Sequence, residues 1–414
     1  MNADQINKII GIRESFKLPE RMMAILSDEE KKNRVFDRFM AIGESLDHDW
    51  FTEYFEEEHS NKSKMAQDLT PQSVTKIIGD MAGSFDSCSD VAAGTGGITI
   101  WLWQKNKDAR YNCYEISERA IPLLIFNLSI RNMNASVTRI DILTGEIFEH
   151  YEIVPGKKYS SVIKKDFEEF ELTDVCVSNP PYSLKYNPKN DTRFPEFKGM
   201  LPTNFADYVF VAFGLHLSKD PVHLIYVLPC GVLFRKAKEE KFRKWLISKN
   251  LVKSVIGLPD NLFINTGIPV TILEIAKSKD ILFVDAREEF EKSKAINVMT
   301  EKNIENIEAA IRLRKGIERF SHVAELKEIE ENGYNLNIPR YVDTTVEEVL
   351  PGLDEVLINM ARDYLDEEDL IMQVLHMFDD LCGTTEEDDR MLKDAVEKYK
   401  SYIRDRRKTR DENI

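Results

Sequence analysis

From about residue 65 onward, short apolar runs alternate with stretches whose apolar residues recur every three or four positions. The runs are SCSDVAAG, RYNCYEI, SVTRIDIL, DVCVSNP, VHLIYVLP, VKSVIGLP and IPVTILEIA. Strands alternating with helices predict βαβ units, and therefore an α/β fold built on a mostly parallel sheet. Only NLFINTG separates the last two runs, so they are expected to close one sheet edge as an antiparallel pair. ILFVDAREEF predicts one more strand. Before the alternation begins, residues 1–64 carry helical spacing, as in Val35, Phe36, Phe39 and Met40, and predict a small N-terminal helical segment. After the central domain, over 65–343, the chain turns acidic and helical through 344–414. There Val349, Leu353, Val356, Leu357, Met360 and Tyr364, then Leu370, Ile371, Val374, Leu375 and Phe378, predict two amphipathic helices. These either pack on their own domain or dock a partner subunit.

Charge narrows the partners. The 414 residues carry a formal net charge of −16, and a protein that grips nucleic acid alone needs clustered Lys and Arg to neutralise phosphates. Any nucleic-acid contact is therefore expected to use a local basic face or one borrowed from another chain. One such face is 235–253, RKAKEEKFRKWLISKNLVK, a basic amphipathic segment with Phe242, Trp245 and Leu246 inward. Its charges either face solvent or face phosphates. The five cysteines form no C-x-x-C pair, the N-terminus has no apolar h-region, and no run of 18 apolar residues occurs. A cytoplasmic protein with no membrane span is expected. The seven histidines show no metal spacing, so no metal is expected.

The first candidate site is SDVAAGTGGITIWLW, where an apolar strand runs into Gly94, Thr95, Gly96 and Gly97 and then into a helical stretch. Glycines there permit positive φ and a close backbone approach by a ligand. Eighteen positions after Gly97, Glu115 ends the next strand, where a carboxylate in such a sheet takes two ribose hydroxyls. Asp141 ends the strand after that, and either accepts from an adenine amino group or caps a helix begun by DILTGE. No Walker lysine follows the turn, and Asp90 before it adds negative charge where a phosphate would be repelled. A phosphate-free, positively charged nucleoside such as S-adenosylmethionine fits better, with Asp90, Ala92 and the turn residues as its expected contacts.

The second candidate is far more specific, because an N-P-P-(Y/F) string arises by chance in only ~0.3% of chains this long. In DVCVSNPPYSLKY, Asn179, Pro180, Pro181 and Tyr182 follow a strand. Each proline fixes φ, removes an N–H and holds its predecessor extended. The product is a stiff corner rich in acceptors. An exocyclic aromatic amine is a weak nucleophile because its lone pair is delocalised. The Asn179 side-chain oxygen and the Pro180 carbonyl can each accept one amino hydrogen and localise that lone pair. Tyr182 can stack on the base, which must be flipped out of a duplex to reach the corner.

With these motifs the chain resembles the γ-group of amino-methylating DNA methyltransferases, and more closely the modification (M) subunit of type I restriction-modification systems. The resemblance covers roughly residues 64–343. DLTPQSVTKIIGDM is similar to that family's F-x-T-P segment, which implies that Thr70 and Pro71, flanked by Gln67 and Gln72, line the methionine end of the cofactor. DVAAGTGG is similar to D-P-A-C-G-T-G-G, with Val91 and Ala93 as substitutions, and NPPY matches unchanged. HLIYVLPCGVLFRKAKEEKFRKWLI, VIGLPDNLFINTGIPVTILEI and NGYNLNIPRYVD follow in family order.

The resemblance implies a Rossmann-like class I methyltransferase sheet and a catalytic domain over 65–343. It implies transfer of methyl from S-adenosylmethionine to the N6 amino group of adenine in double-stranded DNA. Glu115 would hold the cofactor ribose and Asp141 its adenine, while Phe263 would be either a second aromatic contact to the flipped base or a core residue. Residues 183–205 would form a mobile cover over the target pocket. About 64 residues precede the F-x-T-P-like segment, fewer than the family usually carries, and no separate target-recognition domain is visible after residue 343. Sequence specificity is thus expected to reside in a specificity (S) subunit, with a restriction (R) subunit as a further partner. The rival expectations are protein glutamine or N4-cytosine methylation with the same corner, or a non-catalytic scaffold that binds DNA or a partner.

Overall fold

The computed structural model describes residues 3–43, 45–51, 54, 70–186, 193–197, 199–201, 204–263, 267–293, 296–345 and 385–411. The chain divides into two compact units, Met1–Thr345 and Val346–Ile414. Among the described residues of the second unit, a helix spans Glu386–Asp411, with four carboxylates in its first turn where the helix dipole favours them. The two amphipathic helices expected within 346–381 lie outside the described residues. Among the described residues, no helix is long and apolar enough to cross a membrane.

The first unit is built on β1 (Ser87–Val91), β2 (Arg110–Glu115), β3 (Asn134–Asp141), β4 (Glu146–Val154), β5 (Ser161–Lys165), β6 (Val175–Ser178), β7 (His223–Pro229), β8 (Val252–Gly257), β9 (Val270–Ala276) and β10 (Asp280–Asp285). After these, β11 (Glu291–Lys292) and β12 (Asn297–Val298) form a small separate ladder, and β13 (Ser321–Glu325) returns to the main sheet. The eleven-stranded sheet has the order β13-β10-β8-β9-β7-β6-β1-β2-β3-β4-β5. Every residue of β1, β6 and β9 is buried, as expected of strands covered on both faces.

The order overturns one expectation. β8 and β9 do pair antiparallel, but β9 lies between β7 and β8 rather than at an edge. The sheet continues because β10 pairs parallel to β8 and β13 closes against β10 antiparallel. At the other end β3, β4 and β5 form an antiparallel meander that the apolar runs did not announce.

Helices cover both faces. Ala120–Ile130 has an apolar surface all round, and each of its residues is buried. The reason is its position between the sheet and the N-terminal helices Ala3–Ile10, Leu18–Leu26 and Glu29–Met40. Phe126 meets Phe36, Phe39 and Phe51 at centroid distances of 4.7, 4.8 and 5.1 Å. The opposite face packs against Asp207–Leu217 and Lys238–Ser248 through Phe210, Phe213, Phe242 and Leu246.

β1 is hydrogen-bonded to β2 on one side and β6 on the other, all parallel. The chain runs outward from β1 through β2 and β3, then returns to β6 and proceeds the other way. That reversal is a topological switch point, where the carboxyl ends of the strands open a crevice.

Candidate active site at the switch point

Register places the two candidate motifs side by side. Val91, the last residue of β1, is paired with Ser178, the last residue of β6, so the glycine turn and the NPPY corner leave the sheet from adjacent positions. Ser178 Oγ donates to the Val91 carbonyl at 2.5 Å and ties the two exits together. One cleft opens there. Thr70, Asp90, Ala92, Gly94, Thr95, Gly97, Glu115, Asp141, Asn179, Pro180, Pro181 and Tyr182 all line it.

The turn needs its glycines at two points. Gly94 and Gly96 have φ of 57° and 96°, and a Cβ on Gly96 would also come within 2.8 Å of Leu124 Cδ1. Gly96 then precedes the helix Gly97–Lys105 without any side-chain cap. Glu115 is 2% exposed. Its Oε2 accepts from Gly94 N at 2.8 Å, and its Oε1 accepts from Ile116 N and Ser117 N at 2.9 and 2.7 Å. These bonds lock the carboxylate in place at the mouth of the turn.

Asp141 caps a turn, but not a helix: its Oδ1 accepts from Leu143 N at 2.9 Å in the β3–β4 hairpin. The sequence DILTGE reads as a helix start only until the hairpin partner β4 is known. Asp90 is buried, its Oδ2 accepts from Thr99 Oγ1 at 2.5 Å, and its Oδ1 has no partner among the described residues. Burial lifts its carboxyl to about 7, helped by the charge of Glu115 and opposed by Thr99. Near neutral pH it therefore supplies less negative charge than the sequence suggested.

At the corner, the Asn179 amide is oriented at both ends. Its Nδ2 donates to Thr70 Oγ1 at 3.0 Å, and its Oδ1 accepts from the Tyr182 hydroxyl at 2.6 Å. The Pro180 carbonyl accepts no hydrogen bond among the described residues. Tyr182 is half-buried and meets Phe263 edge to face, with centroids 6.2 Å apart at 84°. Phe263 itself is 3% exposed and sits in the core behind that ring.

After Tyr182 the backbone turns through Ser183 at φ 54°, a left-handed conformation that a non-glycine residue holds only when its surroundings enforce it. The enforcing group is buried Asp207, whose Oδ1 accepts from Ser183 N at 2.8 Å and whose Oδ2 takes Arg235 Nη1 at 2.7 Å.

Some expected positions fall elsewhere. Gln67 lies outside the described residues. Pro71 N-caps the helix Gln72–Ala82 and Gln72 is exposed; neither lines the cleft. In the segment 183–205, residues 187–192, 198 and 202–203 lie outside the described residues, while Leu184 lines the cleft and Phe194 and Phe197 are buried. In the basic segment, Arg243 is buried and donates to the carbonyls of Tyr334, Val232 and Arg235, so it serves the fold. The cleft also includes Asp49, Ile116, Ile140, Ile142, Leu143 and Phe210, which the motif reading did not single out. Ile116 offered a usable signal, being an apolar residue just after the strand-end acid and 49% exposed.

A mixed sheet with a parallel centre, a switch-point cleft, a glycine turn and acidic strand ends is the class I methyltransferase fold. The chain belongs to the N-6 DNA methylase family, whose model matches residues 48–349. It is 30% identical over 318 residues to the type I restriction enzyme MpnII methylase subunit of Mycoplasma pneumoniae, covering 71% of this chain and 56% of that one. It is 28% identical over 382 residues to the type I restriction enzyme MjaVII methylase subunit of Methanocaldococcus jannaschii, covering 82% and 62%. The chain thus spans less than two thirds of the length of these relatives. Among solved structures, it is similar to the type I restriction-modification system methyltransferase subunit from Streptococcus thermophilus, with a TM-score of 0.62, 27% identity, and 82% and 79% of the two chains covered.

Proposed function

We propose that this chain transfers a methyl group from S-adenosylmethionine to the N6 amino group of a flipped adenine in double-stranded DNA, as the modification subunit of a type I-like complex. The observation that carries the reading is one cleft into which Asn179 and Pro180 open beside Glu115 and the glycine turn. Residues 65–343 would be the catalytic domain, and a specificity subunit would choose the DNA site. A restriction subunit is a further partner of such a complex.

The residues present fit the cofactor. Buried Asp90 Oδ1, which has no partner among the described residues, is an acceptor suited to an ammonium group, and the fixed Glu115 carboxylate in the same cleft is an acceptor suited to ribose hydroxyls. Exposed Ile116 and buried Ile142 supply apolar surface for an adenine ring, with Asp141 beside them. Thr70, also in the cleft, would line the methionine end. Bound there, S-adenosylmethionine supplies a methyl group activated by its sulfonium.

The chain's own work is at the amine. Asn179 Oδ1 and the Pro180 carbonyl would accept the two amino hydrogens and localise the nitrogen lone pair for attack on the methyl; as the N–C bond forms, the S–C bond of the sulfonium breaks and one amino proton leaves to solvent. Thr70 and Tyr182 set the direction of the Asn179 amide, with its NH2 toward Thr70 and its oxygen toward the Tyr182 hydroxyl. The Tyr182 hydroxyl shares or yields that oxygen when the amine arrives. The Tyr182 ring gives the flipped base a face to stack on, with Phe263 supporting the ring from behind.

The test is transfer of labelled methyl from S-adenosylmethionine to DNA by the chain purified with its specificity partner, followed by nucleoside analysis. N6-methyladenine is expected. Label found only in N4-methylcytosine or in protein glutamine would refute the assignment.

A further inference from the structure

One acidic side chain of the cleft comes from outside the sheet. Asp49 belongs to the stretch that follows the N-terminal helices, yet it lines the cleft beside Asp90, Gly94 and Thr95. Its Oδ2 accepts from Thr95 Oγ1, and its Oδ1 accepts from Asn127 Nδ2 at 2.6 Å and from Phe51 N at 2.9 Å. Asn127 Nδ2 also donates to the Thr95 carbonyl at 2.8 Å. Thr95 is therefore held by its hydroxyl and its carbonyl, between two glycines in left-handed conformations, in a turn with no cap of its own.

The stretch that carries Asp49 is itself firmly docked. Buried Arg131 donates to the carbonyls of Leu46 and His48 and to Asn127, and lies over the Trp50 ring at 5.4 Å. Gln104 Nε2 donates to the Asp47 carbonyl at 2.7 Å. Arg131 does not line the cleft.

We propose that Asp49 is a positioning residue that holds the glycine turn in its cofactor-binding form, so that cofactor binding and docking of the N-terminal helical segment are linked. The inference rests on the cofactor reading of the cleft. Two glycines leave the turn's backbone with alternatives, and the Asp49–Thr95 bond selects among them. Linkage is reciprocal: if docking tightens the cofactor, the cofactor must stabilise docking by the same factor.

The probe is S-adenosylhomocysteine, titrated calorimetrically into the full chain. Asp49→Asn and Thr95→Val should each weaken it about 10-fold, the effect of losing one hydrogen bond to a charged group. The double variant should be no weaker than either alone. Arg131→Met, outside the cleft, should weaken it in the same direction. In the wild type, S-adenosylhomocysteine should slow amide hydrogen exchange across 45–51, a readout that remains if a variant fails to fold. Unchanged affinity in folded Asp49→Asn and Arg131→Met, additive losses in the double variant, or unaltered exchange across 45–51 would overturn the proposal while leaving the cofactor reading intact. Failure of the wild type to bind the probe would overturn both.

Discussion

Replacing Asn179 with alanine removes the acceptor on which the proposed chemistry turns and disturbs little else. The side chain is half-buried at the cleft, so truncation opens no sealed core cavity, and Tyr182 can turn its hydroxyl to water. What is lost in the transition state is one oriented hydrogen bond to a nitrogen gaining positive charge. Deleting a comparable preorganised group costs about 3 kcal/mol, or roughly 10²-fold in the chemical step. Cofactor affinity should change far less, because the bond of Asn179 toward the expected methionine end, to Thr70 Oγ1, is a neutral one. A neutral hydrogen bond contributes about 1 kcal/mol, so a loss of about 5-fold is the ceiling. Single-turnover methyl transfer at saturating cofactor and DNA, with S-adenosylhomocysteine calorimetry alongside, separates the two effects. Turnover within about 3-fold of wild type would refute the acceptor role. Loss of cofactor binding in step with turnover would move Asn179 from the amine to the cofactor.

Glu115→Gln should weaken S-adenosylhomocysteine and methylthioadenosine alike, by about 10-fold or more, since both carry the ribose and the new NH2 would face the Gly94, Ile116 or Ser117 N–H groups; a loss confined to one ligand would contradict the ribose assignment. Asp90 is raised from 3.8 to about 7 in the folded state, so its contribution to stability is complete below pH 3.8 and lost as pH rises through 7. Asp90→Asn should therefore gain on the wild type by up to about 4 kcal/mol between pH 4 and pH 8 in urea unfolding, and a gap that does not vary with pH would count against it. Glu274 behaves oppositely. Burial alone would raise it, but His223, Lys253 and Ser254 hold it down to about 2, so its contribution is present above pH 4.5 and lost as pH falls toward 2. Glu274→Gln should cost about 3 kcal/mol at pH 7 and progressively less below pH 4; an equal cost at both pH values would refute the ion-pair account.

The parts of the site legible in the sequence are those where backbone chemistry speaks locally. Gly94 and Gly96 are written by their φ, Pro180 and Pro181 by the donors they lack, and Glu115 by its place at a strand end. The sheet's β1, β2, β3, β6, β7, β8, β9 and β10 were legible from apolar runs because burial on both faces leaves few polar positions. β4 was not, since it is only partly covered and reads EIFEHYEIV, with charges interleaved. That omission led directly to the misplaced helix cap at Asp141. β13 was hidden for the same reason, as SHVAE has a single fully buried hydrophobic residue, Ala324. Asp49 and Asp207 carried no local signal whatever. Each acts across a long sequence separation, on Thr95 and on Ser183, and only packing brings them there.

The central claim is that the NPPY corner methylates adenine in DNA, and the most direct measurement is methylation-sensitive sequencing of host DNA. Cells carrying the wild-type chain should show N6-methyladenine at one recognition sequence, and cells carrying Asn179→Ala at equal protein levels should lose it at every copy of that sequence. Persistence of the same N6-methyladenine pattern in the Asn179→Ala cells would contradict the account.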